Sequence, residues 1–375
     1  MASVVRELSR ERGPRQRMPI VDCDVHHAIR SPKDLFPYLP RQYRERIEDL
    51  GLGLPSSAYG ILGHGATRLD LWGPDKIPPT ANRDQMRVEL LDKYGIDYAI
   101  LNCSALGGTS AHPDADYGMA VARAFNDYQI EHWCGVDPRF KCSMLVASSD
   151  IRAAAAEVRR IGSNPAVVQV LMTGGAHFPF GNRYYDPLWE ACLEVGIHAA
   201  VHPSAEGAGT NPAPTAVGYP SYYIEARQVW AQEAQAQLSS LVCEGTFDKF
   251  PGFKFIFIEH DTYWVPGLMW RLDADWKGLR TKYPWIKKLP SQYIRENIRF
   301  GSQPINEPET EQDHETFLRW MHAEETVMFA SDYPHWDWDE PSTTFTRLDE
   351  GLRRRIFYQT AVEIYGAKLA GIARQ

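Results

Sequence analysis

Eight apolar, β-branched runs of strand length recur along this 375-residue chain, and each is followed by a stretch that reads as helix. The runs are IVDCDVH (20–26), DYAILN (97–102), FKCSMLVA (140–147), AVVQVLM (166–172), HAAVH (198–202), KFIFIEH (254–260), IRFGSQP (298–304) and VMFASDYP (327–334). Most are apolar at successive positions, as strands of a parallel sheet covered on both faces must be; a strand with one wet face would alternate. The intervening segments carry helix punctuation. RDQMRVELLDKYG closes on Gly95, SSDIRAAAAEVRRIG opens on the cap candidates Ser148, Ser149 and Asp150, and YDPLWEACLEVG closes on Gly196. Eight β/α units in this length predict an α/β chain folded as a (β/α)8 TIM barrel. A doubly wound sheet is the alternative, but no GxGxxG or GxxxxGKS/T phosphate loop follows the first run.

Two connections are longer than a barrel needs. An insertion at 28–81 separates the first strand from its helix, and PSAEGAGTNPAPTAVGYPS (203–221) follows the fifth. Both are expected on the C-terminal face of the barrel, as lids or pocket walls. Residues 1–18 carry five arginines and read as a solvated, flexible arm, leaving 19–375 as one barrel domain. A formal net charge of −8 gives no general attraction to nucleic acid. No apolar run is long enough to span a bilayer and no secretion-type apolar segment stands at the N-terminus, so the expected location is the cytoplasm. Six scattered cysteines without a CxxC pair fit buried thiols in a reducing compartment.

The first run, VDCDVHH, puts metal-seeking groups where a core should be. Residues two apart on a strand share a face, so Asp22, Asp24 and His26 point into the barrel together. The fifth run ends on His202, the sixth on Glu259 and His260, and the eighth carries Asp332 in FASDYPHWD. Strand C-termini are where barrel enzymes place catalytic groups, and histidines with carboxylates form an N/O ligand set for Zn, Mn, Fe, Co or Ni. Asp22 is a candidate for orienting a ligand from one layer below. His27 should point away from the barrel axis. His177, Gln303 and His335, in loops after strands four, seven and eight, are candidate substrate contacts. Trp264, Trp270, Trp276, Trp336 and Trp338 are expected mainly to pack beneath long loops.

These residues resemble the amidohydrolase superfamily, and within it the amidohydrolase-2 group that includes the aminocarboxymuconate semialdehyde and hydroxybenzoate decarboxylases. The carriers are DxDxH at Asp22, Asp24 and His26, VHP at His202, His260 followed by WVPGLMWRLD, and SDYPH at Asp332. The likeness covers roughly residues 18–370. It implies that Asp24, His26, His202 and Asp332 are metal ligands, and that His260 is a catalytic acid/base or a further ligand. The family's decarboxylases usually follow that histidine with a Gly-Glu pair, whereas this chain reads Glu259-His260-Asp261-Thr262.

Hydrolysis is the first expected chemistry: Asp332 takes a proton from metal-activated water and His260 assists the oxyanion or leaving group of a cyclic amide, lactone or similar substrate. Non-oxidative decarboxylation of a small aromatic or unsaturated acid uses the same ligands. With Asp22, His27 and Glu259 as candidates for a second metal, a dinuclear iron or iron/manganese oxygenase is the third reading. A non-catalytic metal-containing partner subunit is the fourth. The expected cofactor is a divalent metal (Zn, Mn or Fe), one ion or two. The expected partners are a small-molecule substrate and further subunits, of this chain or another.

Overall fold

The computed structural model describes residues 17–59 and 66–371. The arm expected at 1–18 lies outside them except for Arg17 and Met18; Arg17 is anchored by Asp97 at 2.7 Å.

Each apolar run becomes a strand: β1 Val21–His26, β2 Tyr98–Asn102, β3 Phe140–Leu145, β4 Val167–Thr173, β5 His198–His202, β6 Phe255–Phe257, β7 Ile298–Gly301 and β8 Val327–Met328. All neighbours in the order β1 to β8 pair in parallel. Closure comes from backbone bonds between the β8 side and β1. Cys23 N–H donates to Phe329 O at 2.9 Å, Asp332 N–H to Asp24 O at 3.0 Å and His26 N–H to Tyr333 O at 2.7 Å. The fold is the expected (β/α)8 TIM barrel. β4 shows why its sequence is largely apolar: all seven of its residues are buried, between the barrel interior and the outer helices, and only Gln169 and Thr173 are polar.

The helices follow from capping and apolar stripes. In Ile151–Ile161, Asp150 accepts from the N–H groups of Arg152 and Ala153, while Ala154, Ala155, Val158 and Ile161 are buried. On the outer face of the barrel, Phe255 and Phe257 of β6 pack with Phe180, Tyr185, Trp189 and Phe253 as an aromatic layer beneath the helices.

Two strands stop earlier than the runs that announced them. β6 ends at Phe257 instead of reaching 260, because Glu259 and Asp261 turn into the left-handed region, both at φ +58. β8 covers only Val327 and Met328, and Asp332 sits at φ +62. Positive φ at non-glycine residues stores strain, and here it falls where chemistry-bearing side chains enter the barrel mouth.

Both long connections meet this rim. The 28–81 insertion packs Leu35, Leu39 and Ile47 with Tyr117 and Phe125 of the helix Ala115–Gln129, then bridges Thr67 to His335 and Ala66 O to Trp336 N–H. The 203–221 loop is tied to the loop after β2 by Thr210 N–H to Ala111 O and by Ser204 Oγ to Ser104 O. Among the described residues no helix is long and apolar enough to cross a membrane.

Candidate metal centre

β1, β5 and the turns after β6 and β8 converge on one buried cluster. Asp24, His26, His202 and Glu259 form one group and His26, Glu259, Asp332 and His335 a second; within each, donor atoms lie within 4.8 Å of one another. The contacts are close: His26 Nε2 to Asp332 Oδ1 is 2.8 Å, His202 Nε2 to Glu259 Oε2 2.8 Å, and His335 Nδ1 to Asp332 Oδ1 2.7 Å. His26 also stacks on His335, with ring centres 4.0 Å apart.

Short as these separations are, several atoms make no hydrogen bond of acceptable geometry among the described residues. They are Asp24 Oδ2, His26 Nε2, His202 Nε2 and both Asp332 oxygens, all buried. Buried polar atoms are nearly always satisfied, so orphans converging on one point fit a shared cation. The electrostatics agree. Burial would raise the Asp24 carboxyl, yet His26, His202 and Asn102 outweigh it and hold it at about 2. Burial would lower His26 and His202, but their carboxylate neighbours raise both. Such a site draws positive charge onto itself, and a divalent metal supplies it.

Neighbours set the donors' orientation. His202 Nδ1 donates to Pro203 O at 2.9 Å, leaving Nε2 with its lone pair toward the cluster. Asn102 Nδ2 donates to Asp24 Oδ1 at 2.9 Å, and its own Oδ1 accepts from Ser143 Oγ. Gln169 and Tyr365 continue this chain of hydrogen bonds across the barrel interior. Asp22, expected to orient from below, accepts from Ser331 N–H at 2.9 Å and so braces the turn that presents Asp332. Burial pushes its carboxyl up to about 7.

Other assignments change. His260, expected as a catalytic acid/base or a further ligand, belongs to neither group: Nδ1 donates to Ile258 O at 2.8 Å and Nε2 is buried without a hydrogen-bond partner among the described residues. Burial, reinforced by His202, pushes it down to about 3, so the ring is neutral. Glu259, reserved for a second metal or outer support, enters both groups, because the left-handed turn after β6 breaks strand alternation. His335, expected only as a rim contact, stands against Asp332. His27 is removed from any second-metal role. It faces outward, bonds Gln129 at 3.0 Å and packs against Phe125 and Trp133.

His177 is exposed and meets Thr210 at 3.1 Å, tying two rim loops together away from the cluster. Gln303 is buried and donates to Asp337 O at 3.3 Å. Of the tryptophans, Trp264 is buried while Trp270 and Trp336 are largely exposed. Sequence reasoning missed Asn102, whose only signal was a polar residue closing an apolar strand. It also missed Arg227, stacked near Trp230 and Trp336 and paired with Asp337 at 2.6 Å.

The family model described as Amidohydrolase matches residues 21–367, which include every residue of the cluster. The chain belongs to the amidohydrolase family. Among curated proteins, gamma-resorcylate decarboxylase of Polaromonas sp. (strain JS666) is 27% identical over 296 residues, covering 74% of this chain and 86% of the relative. The enzyme of the same name from Rhodococcus jostii (strain RHA1) is 26% identical over 268 residues, covering 66% and 76%. A solved structure of dihydroxybenzoic acid decarboxylase from Polaromonas sp. JS666, with bound manganese and 2-nitroresorcinol, superposes with a TM-score of 0.64 at 19% identity, covering 94% of this chain and 98% of that one. This amidohydrolase-family chain is thus an enzyme of the hydrolase or carboxy-lyase kind, with a buried cluster fitted to a divalent metal.

Proposed function

We propose that this enzyme is a metal-dependent, non-oxidative decarboxylase of a small hydroxylated aromatic acid. The observation that carries the reading is the similarity to gamma-resorcylate decarboxylases over 86% of one relative's length, in a chain with a buried cluster of groups able to hold a divalent metal. Decarboxylation therefore moves ahead of hydrolysis, which was placed first on residue pattern.

In this reading Asp24, His26, His202 and Glu259 hold the ion. A divalent metal held there would supply Lewis-acid stabilisation of negative charge on substrate oxygens. Asp332, in its acid form, delivers a proton to the ring carbon that bears the carboxylate. The ring carbon to carboxyl bond then breaks, its electron pair remains with the ring, and CO2 leaves. His335 Nδ1, 2.7 Å from Asp332 Oδ1 and partly open to solvent, returns a proton to Asp332. His260, neutral at working pH, serves as a hydrogen-bonding wall group rather than an acid. Arg227 provides a fixed cation near the mouth, where it feels the charge of Glu259 and Asp337.

The test is to load purified protein with manganese and supply 2,6-dihydroxybenzoate and related hydroxybenzoates. CO2 release with a phenolic product and no oxygen uptake is the expected result. Solvent 18O in the product without CO2 would restore the hydrolase reading, and oxygen consumption would favour the oxygenase.

A further inference from the structure

Two carboxylate oxygens are buried together beside the active-site loop, outside the cluster described above, and a third oxygen without a partner, that of Asn211, lies on the same loop. Glu206 and Asn211 belong to the 203–221 loop and are 5% and 8% exposed; Glu233 comes from the helix Tyr223–Cys243. Glu206 Oε1, Glu233 Oε2 and Asn211 Oδ1 are all buried with no hydrogen-bond partner among the described residues. They gather on the Gly174–Gly175 turn after β4. A Cβ on Gly174 would lie 2.2 Å from Glu233 Oε2 and 3.2 Å from Glu206 Oε1, so these two oxygens stand no more than about 5.4 Å apart. A Cβ on Gly175 would lie 2.7 Å from the Asn211 amide nitrogen. That nitrogen donates to Ala205 O at 2.8 Å, which fixes the unpartnered atom of Asn211 as the oxygen.

Among the described residues no Lys, Arg or His forms an ion pair with Glu206 or Glu233, and burial pushes both carboxyls upward. Such a pair takes up a proton or a cation. A shared proton satisfies two oxygens and leaves the amide oxygen stranded. A divalent ion neutralises both charges, and opposite ligands of one calcium ion stand about 5 Å apart, within the bound on the two carboxylate oxygens. We propose that Glu206, Glu233 and Asn211 form a second cation site, selective for a hard divalent ion with oxygen ligands. It pins the 203–221 loop to the β4 turn and the following helix. The site stands apart from the choice of reaction, since none of its residues belongs to the catalytic cluster.

The experiment uses the manganese-loaded enzyme and calcium as the probe, with magnesium in parallel. Equilibrium dialysis with elemental analysis should find one equivalent of calcium or magnesium beyond the catalytic metal. The added ion should raise Tm and slow proteolysis within 203–221. Glu233→Gln should lose that equivalent and the Tm response while keeping the catalytic metal and CO2 release. Absence of the extra equivalent in the unaltered enzyme overturns the proposal without any variant. Its persistence in Glu233→Gln overturns it too, and a carboxylate pair sharing a proton then remains.

Discussion

Asp332→Asn separates the acid from the ligand set. Asp332 sits at φ +62, a conformation that Asn tolerates about as well as Asp, whereas Ala would add roughly 1–2 kcal/mol of backbone strain. The amide keeps the shape of the carboxyl and one oxygen for His26 and His335, so the turn braced by Asp22 should hold. Asp24, His26, His202 and Glu259 form a four-donor group without Asp332, so metal should remain at about one equivalent when supplied in excess. What disappears is the transferable proton. Loss of a positioned acid costs on the order of 10²–10⁴ in rate, or roughly 3–5 kcal/mol on the barrier. The assay is CO2 release from 2,6-dihydroxybenzoate beside metal analysis on the same sample. Turnover within threefold of the unaltered enzyme would remove Asp332 as the proton donor, and metal loss in excess manganese would make it a ligand instead.

Other perturbations probe separate links. His260→Asn should leave metal content near that of the unaltered enzyme while lowering turnover, because His260 lies outside both donor groups; metal analysis showing depletion would return it to the ligand set. Gly108→Ala should destabilise by roughly 1–3 kcal/mol, seen as a lower Tm, since its Cβ would lie 1.9 Å from Pro55 O where the insertion crosses the loop after β2. His198, far from the cluster at the start of β5, is pushed by burial from 6.5 to about 4. Between those values the unfolded chain binds a proton that the folded one refuses, so His198 removes up to about 3 kcal/mol of stability as pH falls from about 6.5 to 4. Denaturant titrations of His198→Gln should show a shallower acid loss than the unaltered enzyme over that window, and equal slopes would contradict the assignment.

Much of the architecture was legible because a parallel barrel imposes a local rule. Strands covered on both faces must be apolar at successive positions, and the eight runs obeyed it closely enough to order β1 to β8 without any contact information. The DxDxH face of β1 was equally local. Asp24 and His26 share a side of the strand by alternation alone, and both enter the cluster. His202, the last residue of β5, follows from the same rule.

Residues beyond the strand ends escaped it. Alternation predicts direction only while φ stays negative, and Glu259, Asp261 and Asp332 leave that region just where β6 and β8 give way to turns. That is why Glu259, expected only for a second metal or outer support, joins both donor groups, and why His335 came from the rim to stand against Asp332. Asn102 became meaningful only when β2 was laid beside β1 and its amide reached Asp24. The second oxygen cluster is still less local, because Gly174, Glu206, Asn211 and Glu233 belong to three elements. The sequence by itself determined the barrel and the donors carried on regular strands, since both depend on the period of a strand and the cost of burying polar backbone. Tertiary structure alone decided which turn residues face the metal and which carboxylates are left without a counter-charge, because closure of the barrel sets those distances.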